Sequence, residues 1–352
     1  MIDGVETLRK FTLATMRMTG LAALARPFLG GIGVILMLHR VTAAPAKPLD
    51  LNGHLAVRPD FLDAVLADMR SQGYRFVSMD EAVRLTKEPD GRAPFATITL
   101  DDGYRDNLTE ALPIFEKHQT PFTIYIAPGL IGGDVDLWWE VIEDVVTVKD
   151  KVLLATDSGA VTWGAKTRPE KAKTFQRLMG HLSGDVSESE QHGVVSSLGR
   201  LPYFDLLERS RSLLMNWDEI RSIEAHPLGT IGAHTVNHYA LRRLEEATAR
   251  AEIAEAACML ERELGIRPRH MAYPYGFAKA VGEREARLAE EVGFVSAVTT
   301  RHGLIHAEHA GHLHALPRLS LNGRYQSISH VRTMLSGLTV AMANRGRRVV
   351  TM

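Results

Sequence analysis

The sequence contains a single cysteine, Cys258, among 352 residues. One cysteine excludes a disulfide framework within the chain and leaves the redox compartment undetermined. Because Cys258 lies in a stretch rich in Ala and Glu that has helical character, we expect it to be a small buried residue of a helix rather than a reactive thiol.

Neither sign of charge is in excess. The chain has 41 Lys and Arg residues against 42 Asp and Glu residues, a formal net charge of -1. This balance gives no electrostatic support for nucleic-acid binding, and it does not select anionic partners. With 45% hydrophobic and 24% charged residues, the composition is that of an ordinary globular protein.

A long uninterrupted apolar run is also missing. Arg26 and Pro27 interrupt the mildly apolar stretch 18–38, whereas a membrane-spanning helix needs about 20 apolar residues. No small-residue cleavage site follows a clean apolar block, which argues against a signal peptide. We therefore predict an amphipathic helix over residues 5–28, within an N-terminal segment 1–32, in a cytoplasmic protein. A peripheral contact of this helix with a membrane stays open.

Short apolar runs rich in β-branched residues recur along the chain, and segments of helical period separate most of them. This alternation predicts βαβ units with a parallel sheet, and about eight strands are the number for a closed or nearly closed barrel. A doubly wound open sheet is the alternative, but the Gly-rich dinucleotide fingerprint is missing after the first run. The runs are residues 34–38, 76–79, 96–100, 122–127, 230–233, 270–273, 295–299 and 316–321.

The strand rhythm breaks between about residues 149 and 212, where the sequence is polar and mostly helical in character. We interpret this stretch as a helical insertion in one βα unit of a barrel domain that spans residues 33–323. A C-terminal helix and tail are predicted for residues 324–352.

Two adjacent carboxylates, Asp101 and Asp102, end one strand run and are followed by Gly103. Functional groups of parallel α/β folds cluster where strands end. Adjacent residues there can point in different directions, so one carboxylate can bind a metal while the other faces a substrate. Asp-Asp-Gly is also common in turns, so this motif alone leaves both interpretations open.

Two histidines, His234 and His238, follow another strand run. A separation of four residues places both side chains on one face of a helical turn, a spacing that metal sites use. Two His with one carboxylate are typical of a catalytic metal, and imidazole suits Zn²⁺ and other first-row metals. With Asp102, the pair predicts a divalent metal site for Zn²⁺, with Co²⁺, Ni²⁺ or Mn²⁺ as alternatives.

Tyr275 follows a third strand run, residues 270–273, and lies between Pro274 and Gly276. A rigid Pro and a Gly beside an aromatic residue suit a loop that presents a backbone N–H to a ligand, although a simple turn has the same pattern.

These three motifs, in this order, resemble those of the polysaccharide deacetylases with NodB homology, also called carbohydrate esterase family 4. Residues 99–103 resemble the family's Thr-Phe-Asp-Asp-Gly motif, and residues 234–238 its His-Ser/Thr-x-x-His motif. The resemblance covers about residues 34–321 and implies a distorted (β/α) barrel of about seven or eight parallel strands. It also implies that Asp101 is the catalytic base and that the backbone N–H of Tyr275 helps to form the oxyanion hole. The implied metal ligands are Asp102, His234 and His238.

The chain departs from the family pattern at Ala272, where the family has an arginine that holds the catalytic aspartate. Arg318, in the last strand run, is our candidate for the missing cation. A solvated arginine at a strand end is the alternative.

The proton donor has several candidates. Residues 34–41 resemble the Tyr-His-x-Val strand end of the exopolysaccharide (poly-N-acetylglucosamine) deacetylases, which implies His39 as the general acid. The family's late Leu-x-His motif is ambiguous here, so His306 and His314 are alternatives, in a His-rich segment that we expect to be a solvated loop. His39 can also be a buried structural residue. Trp138 and Trp139 are interpreted as packing residues, with a sugar contact as the alternative.

The resemblance implies a metal-dependent hydrolase that removes N-acetyl groups from N-acetylhexosamine residues of an oligo- or polysaccharide and releases acetate. One alternative is an enzyme that deacetylates or deformylates a lipid-linked sugar or another non-peptide amide. Another is a catalytically inactive relative that binds sugar. A two-His, one-carboxylate iron oxygenase is disfavoured, because there one His lies close to the carboxylate in sequence. The glycan and the oligomeric state are not determined by the sequence.

Overall fold

A computed structural model describes residues 21–156, 159–200 and 205–352 of the chain. The strands are β1 (Gly33–Leu38), β2 (Arg40–Val41), β3 (Ala56–Val57), β4 (Arg75–Phe76), β5 (Phe95–Asp101), β6 (Phe122–Ile126), β7 (Lys151–Thr156), β8 (Gly159–Gly164), β9 (Gly229–Ala233), β10 (His270–Ala272), β11 (Ser296–His302) and β12 (Leu316–Ser320). At the centre is the predicted barrel, in which β1, β12, β11, β10, β9, β6 and β5 pair side by side and β5 pairs again with β1.

Closure of the ring rests on the pairing of β1 with β5. Their parallel register runs from Gly33 opposite Phe95 to Leu38 opposite Leu100. Every residue of both strands is buried, as expected for parallel strands that are covered on both faces. The short β4 pairs only with the first residues of β5. The predicted barrel is therefore confirmed, with seven strands in the ring and one extra strand, and the open-sheet alternative is excluded.

Helices surround the ring and bury their apolar faces against it. In the helix Glu246–Leu264 (α11), for example, Ala249, Ile253, Ala256 and Leu260 are fully buried, and their three- and four-residue spacing forms one stripe. The helices are α1 (Leu21–Leu29), α2 (Pro59–Ser71), α3 (Met79–Lys87), α4 (Leu112–Lys117), α5 (Pro128–Gly132), α6 (Trp138–Val148), α7 (Arg168–Gly184), α8 (Glu188–Gly199), α9 (Leu206–Arg211), α10 (Trp217–Glu224), α11 (Glu246–Leu264), α12 (Glu283–Val292), α13 (Ile328–Leu335) and α14 (Leu338–Ala343).

A second hydrophobic core lies beside the barrel, where α6 packs against the segment around residues 149–212. The described residues of this segment form three helices, α7 to α9, and an antiparallel hairpin of β7 and β8. The sequence pattern did not indicate the hairpin. The predicted domain boundaries, residues 1–32, 33–323 and 324–352, stay predictions.

The exposure of the single cysteine differs from the prediction. Cys258 is exposed on α11, so the prediction of a buried residue was wrong. Its neighbour Ala257 takes the position that faces the core.

The N-terminal helix predicted over residues 5–28 lies only in part within the described residues. Its residues 5–20 lie outside them, and α1 spans Leu21–Leu29. None of the helices described is long and apolar enough to cross a membrane, and the peripheral membrane contact stays a prediction.

Candidate metal centre

The candidate site lies at the carboxyl ends of three barrel strands. Asp101 is the last residue of β5 and Asp102 follows it, His234 follows β9, and Tyr275 lies three residues after β10. Because the carboxyl ends of parallel strands meet on one side of a barrel, the fold brings these motifs together.

The three predicted metal ligands converge and are buried. The Nε2 atoms of His234 and His238 lie 3.5 Å and 3.3 Å from Oδ1 of Asp102. One ligand atom from each residue lies within 4.8 Å of the others. Among the described residues, Oδ1 of Asp102 has no hydrogen-bond partner although it is buried. A carboxylate oxygen between two imidazole nitrogens fits a divalent metal ion in chemistry and in charge.

Hydrogen bonds and ring contacts orient the two histidines. Nδ1 of His234 lies 2.7 Å from the carbonyl oxygen of Ala272, to which it can donate. That bond places the proton on Nδ1 and leaves Nε2 free to bind a metal. The His238 ring lies 4.9 Å from the Tyr275 ring and 5.0 Å from the Trp139 ring, measured between centroids. The aromatic rings therefore restrict the orientation of His238.

The backbone of the site adopts conformations that non-glycine residues rarely take. Asp102, Thr235, His238 and Tyr275 have φ values of 73°, 57°, 55° and 61°. Positive φ is most unusual for a β-branched residue such as Thr235. Each such residue costs about 1–3 kcal/mol, and such strain clusters at functional sites. The surrounding structure must therefore hold these residues in place.

Glu252 of α11 holds the loop between the two histidines. Its carboxylate accepts hydrogen bonds from the backbone N–H groups of Val236 and Asn237, at 3.0 Å and 2.9 Å, and from the Asn237 side chain at 2.6 Å. Glu252 was not among the residues predicted to form the site. The sequence does contain a signal for it, because Glu252 is an acidic residue on the buried face of the helix, between Ala249 and Ile253.

Asp101 lies beside the metal ligands and pairs with Arg318 of β12. The guanidinium donates two parallel hydrogen bonds, from Nη1 to Oδ1 at 2.8 Å and from Nη2 to Oδ2 at 2.7 Å. Burial alone would raise the pKa of Asp101, but the charge and hydrogen bonds of Arg318, together with the charges of His234 and His39, more than offset this, so the pKa is lowered. Asp101 is therefore an ionised carboxylate that can accept a proton.

Comparison with known proteins agrees with this geometry. The family model described as "Polysaccharide deacetylase" matches residues 197–295, a segment that contains both histidines and Tyr275. The predicted resemblance to the polysaccharide deacetylase family is confirmed. No curated protein sequence matches this chain.

Three solved structures share the fold. The Streptococcus pyogenes deacetylase PplD, in complex with acetate, is 18% identical with a TM-score of 0.56, over 86% of this chain and 97% of that chain. IcaB from Ammonifex degensii is 18% identical with a TM-score of 0.54, over 87% and 97% of the two chains. A de-N-acetylase from Aggregatibacter actinomycetemcomitans is 13% identical with a TM-score of 0.53, over 86% and 99%. At these identities the likeness concerns the fold.

Arg318 supplies the cation beside Asp101, as we expected from the resemblance and from Ala272. Ala272 stands at the motif position in β10, whereas Arg318 reaches Asp101 from β12 and is 1% exposed. Arg318 also donates to the carbonyl of Thr299 and to the hydroxyl of Thr99. The alternative of a solvated arginine is excluded.

The site opens into a cleft of about 340 Å³, which lies within the usual size range of ligand pockets. His39, at the end of β1, lines this cleft with Asp101 and the three metal ligands. His54 lines it as well, and its pKa is lowered to about 4 by burial and by the neighbouring charges of His39 and Arg324. His39 is half-buried, and its role as general acid stays a prediction.

The late histidines lie at the opposite end of the barrel. His306 follows Ile305, which pairs with Gly33 at the start of β1, and His314 precedes the start of β12. The six residues of β1 separate that end from His39 by about 20 Å. The prediction of a solvated loop was wrong, because His309 is fully buried and His306 is 6% exposed.

Tyr275 and the tryptophan pair form the aromatic wall of the cleft. The Nε1–H of Trp138 donates to the Tyr275 hydroxyl at 2.9 Å, and that of Trp139 donates to the Tyr104 hydroxyl at 2.9 Å. Trp138 and Trp139 are 4% and 7% exposed, in agreement with their predicted packing role. Phe277, 47% exposed at the cleft, is an aromatic residue that sequence analysis did not identify.

Proposed function

We propose that the protein hydrolyses N-acetyl groups of N-acetylhexosamine residues in an oligo- or polysaccharide and releases acetate. One observation carries the proposal: the Asp102, His234 and His238 ligand atoms lie within 4.8 Å of one another, next to the ion-paired carboxylate of Asp101. A metal site that adjoins an ionised base, in a cleft at the carboxyl ends of barrel strands, supports metal-assisted hydrolysis.

We propose Zn²⁺ as the metal, because two imidazoles and one carboxylate match its preferred catalytic ligand set. Bound by Asp102, His234 and His238, a divalent ion supplies Lewis acidity that lowers the pKa of water and polarises an amide carbonyl. Co²⁺, Ni²⁺ and Mn²⁺ are alternatives, and elemental analysis of the purified protein distinguishes them.

The residues of the chain supply the proton transfers. Asp101 accepts a proton as the oxygen of a water molecule attacks the acetyl carbon, while Arg318 keeps the carboxylate in position. The backbone N–H of Tyr275 donates a hydrogen bond to the oxyanion that develops on the acetyl oxygen. When the carbon–nitrogen bond breaks, His39 gives a proton to the departing sugar amine, and acetate and a free amine remain.

The cleft supports a sugar as the substrate class. Beyond the metal ligands and Asp101, its lining includes neutral polar side chains such as Asn52, Ser320 and Thr300, and apolar ones such as Met179 and Phe277. Neutral hydrogen-bonding groups next to an exposed aromatic ring suit the hydroxyls and the apolar face of a hexosamine. Met179 belongs to α7, so the segment beside the barrel also forms part of the cleft.

Acetate release from a panel of glycans tests the proposal. The panel contains a chitooligosaccharide, poly-N-acetylglucosamine, peptidoglycan and an N-formylated hexosamine, each with metal-loaded wild type and with Asp101→Asn. We expect acetate release from at least one N-acetylated glycan, and a loss of about a hundredfold or more in the variant. Wild-type rates from Asp101→Asn would contradict the assigned base. Sugar binding without acetate release would favour the inactive relative, and formate release alone would favour the deformylase.

A further inference from the structure

The two histidines of the metal centre are supported in different ways. Nδ1 of His234 lies 2.7 Å from the carbonyl oxygen of Ala272 and can donate to it. Among the described residues, the buried Nδ1 of His238 has no hydrogen-bond partner. A histidine that binds a metal through one ring nitrogen usually has a hydrogen bond at the other, because that bond fixes the ring. The orientation of His238 therefore depends on its ring contacts with Trp139 and Tyr275.

Each of these two rings is held by a hydrogen bond between an indole and a phenol. The Nε1–H of Trp138 donates to the Tyr275 hydroxyl at 2.9 Å, within the wall of the cleft. The Nε1–H of Trp139 donates to the Tyr104 hydroxyl, also at 2.9 Å. Tyr104 is fully buried and, within the described part of the chain, does not line the cleft. Its hydroxyl can therefore orient Trp139 without touching a substrate.

Tyr104 is itself fixed from three sides. It follows the metal ligand Asp102 by two residues. Its hydroxyl lies 3.4 Å from Oε1 of the buried Glu140, to which it can donate. The central guanidinium carbon of Arg40 lies 5.0 Å from the centre of the Tyr104 ring, and Nε of Arg40 pairs with Asp106 at 2.8 Å. Because a cation over an aromatic face is attractive, both the ring and the hydroxyl of Tyr104 have set positions.

We propose that Tyr104 is a positioning residue of the metal centre, whose hydroxyl holds the Trp139 indole against the His238 ring and thereby strengthens metal binding. The inference deepens the proposed function and rests on it for the kinetic test. Without that hydroxyl the buried indole N–H would lack an acceptor, which is unfavourable, and the indole would shift from its place beside His238. The imidazole would then be freer to rotate, and metal binding would have to order it.

The Zn²⁺ affinity of the full chain, measured in competition with a chelating dye, gives the first test. Wild type is compared with Tyr104→Phe and with the control Tyr273→Phe. Tyr273 is also buried, but its hydroxyl donates at 2.9 Å to the carbonyl of His314, which precedes the start of β12 at the other end of the barrel.

We expect the Kd for Zn²⁺ to rise about tenfold or more in Tyr104→Phe, as for other residues that support metal ligands. In Tyr273→Phe it should stay within about twofold of the wild-type value. Both variants lose one buried hydroxyl, so their urea midpoints should fall by similar amounts. Equal Zn²⁺ affinity in wild type and Tyr104→Phe would overturn the proposal.

A double-mutant cycle tests whether Tyr104 acts through Trp139. Trp139→Phe keeps an aromatic ring but removes the indole N–H, and the double variant removes both partners of the bond. If the bond carries the effect, the double variant should bind Zn²⁺ about as weakly as the weaker of the two single variants. Losses that multiply would overturn the proposal, since the two residues would then act separately. Wild-type affinity in Trp139→Phe would also overturn it, even if Tyr104→Phe did not fold.

The metal dependence of acetate release separates this inference from the proposed function. In Tyr104→Phe we expect the Zn²⁺ concentration for half-maximal activity to rise by the same factor as Kd, and kcat at saturating Zn²⁺ to fall less. A lower kcat with an unchanged half-activating concentration would contradict the positioning role. Absence of acetate release by wild type from every N-acetylated glycan would contradict the proposed function, whereas the dye competition would still decide the role of Tyr104.

Discussion

Arg318 and Asp101 form a bidentate ion pair inside the barrel, with N–O distances of 2.8 Å and 2.7 Å. Both side chains are almost completely buried. The pair joins β12 to β5 across the interior, and the carbonyl of Thr299 and the hydroxyl of Thr99 fix the rest of the guanidinium. The chain therefore orients its proposed catalytic base from a different strand than the one that carries the family's motif arginine.

Arg318→Ala should lower both activity and stability. Removal of one partner leaves the other charge buried and unpaired, which costs about 3–5 kcal/mol. We expect the free energy of unfolding, measured in urea, to fall by about 3 kcal/mol or more, and acetate release to fall at least a hundredfold. Arg318→Lys keeps the charge but cannot form two parallel hydrogen bonds, so its activity and its stability should lie between those of wild type and Arg318→Ala. An alanine variant with wild-type activity would refute the positioning role.

Ala272→Arg should partly rescue Arg318→Ala. Ala272 is fully buried in the same interior cluster as Tyr125, and the guanidinium of Arg318 lies 5.9 Å from the Tyr125 ring. An arginine at position 272 can thus enter the volume that Arg318→Ala vacates and restore a cation beside Asp101. We expect kcat of the double variant to exceed that of Arg318→Ala at least tenfold. Ala272→Arg alone should destabilise the protein, because both guanidinium groups would compete for one interior volume.

Glu252→Gln should weaken metal binding without touching a metal ligand. Glu252 accepts three hydrogen bonds from Val236 and Asn237, in the loop between His234 and His238. The side-chain amide of a glutamine would place an NH₂ group, which is a donor, where one carboxylate oxygen of Glu252 now accepts a hydrogen bond. Supporting residues of this kind change metal affinity about 10–100-fold, and we expect a loss of that size in competition with a chelating dye. Glu255→Gln, an exposed acid on the same helix, is the control and should bind as wild type does.

The barrel and the metal ligands could be predicted because their signals are local. Each ring strand is a short apolar run, and parallel strands buried on both faces need such runs. The sites at strand ends then follow from the topology, which brings Asp102 and His234 together. The partner of Asp101 was a weaker prediction, since one arginine in a strand run gives no information on which carboxylate it meets.

Other features were missed because they depend on tertiary packing. In the β7–β8 hairpin, Val152 and Leu154 are buried but Leu153 is 63% exposed, and this exposed apolar residue hides the alternation that marks a strand. Glu252 and Glu188 are buried acids that accept hydrogen bonds from backbone N–H groups of loops 15 and 52 residues away in sequence, and Glu188 also pairs with Arg243. Cys258 was misplaced for a related reason, since a small residue fits both faces of a helix.

His39→Asn should separate amide from ester hydrolysis. An amine leaving group needs a proton, whereas a nitrophenolate does not, and general-acid catalysis contributes about 10²–10⁴-fold. We expect acetate release from an N-acetylated oligosaccharide to fall by such a factor, while hydrolysis of 4-nitrophenyl acetate falls less than tenfold. Equal losses on both substrates would indicate that His39 has a structural role, the alternative left open by the sequence.

His306→Phe should change the pH dependence of stability but leave acetate release at pH 7.5 intact. Burial, with a smaller contribution from His309, lowers the pKa of His306 to about 4, below the value of about 6.5 in an unfolded chain. As the pH falls, His306 is therefore protonated in the unfolded chain before it is protonated in the folded protein. Its contribution to the free energy of unfolding is fully present above pH 6.5 and is lost as the pH falls toward 4. In urea unfolding, we expect the free energy of unfolding of the variant to fall less between pH 7.5 and pH 5 than that of wild type.

His312→Asn, a change at an exposed residue of the same segment, is the control, and its pH dependence should follow that of wild type. Loss of acetate release in His306→Phe would contradict the placement of this histidine at the amino ends of the strands, away from the cleft.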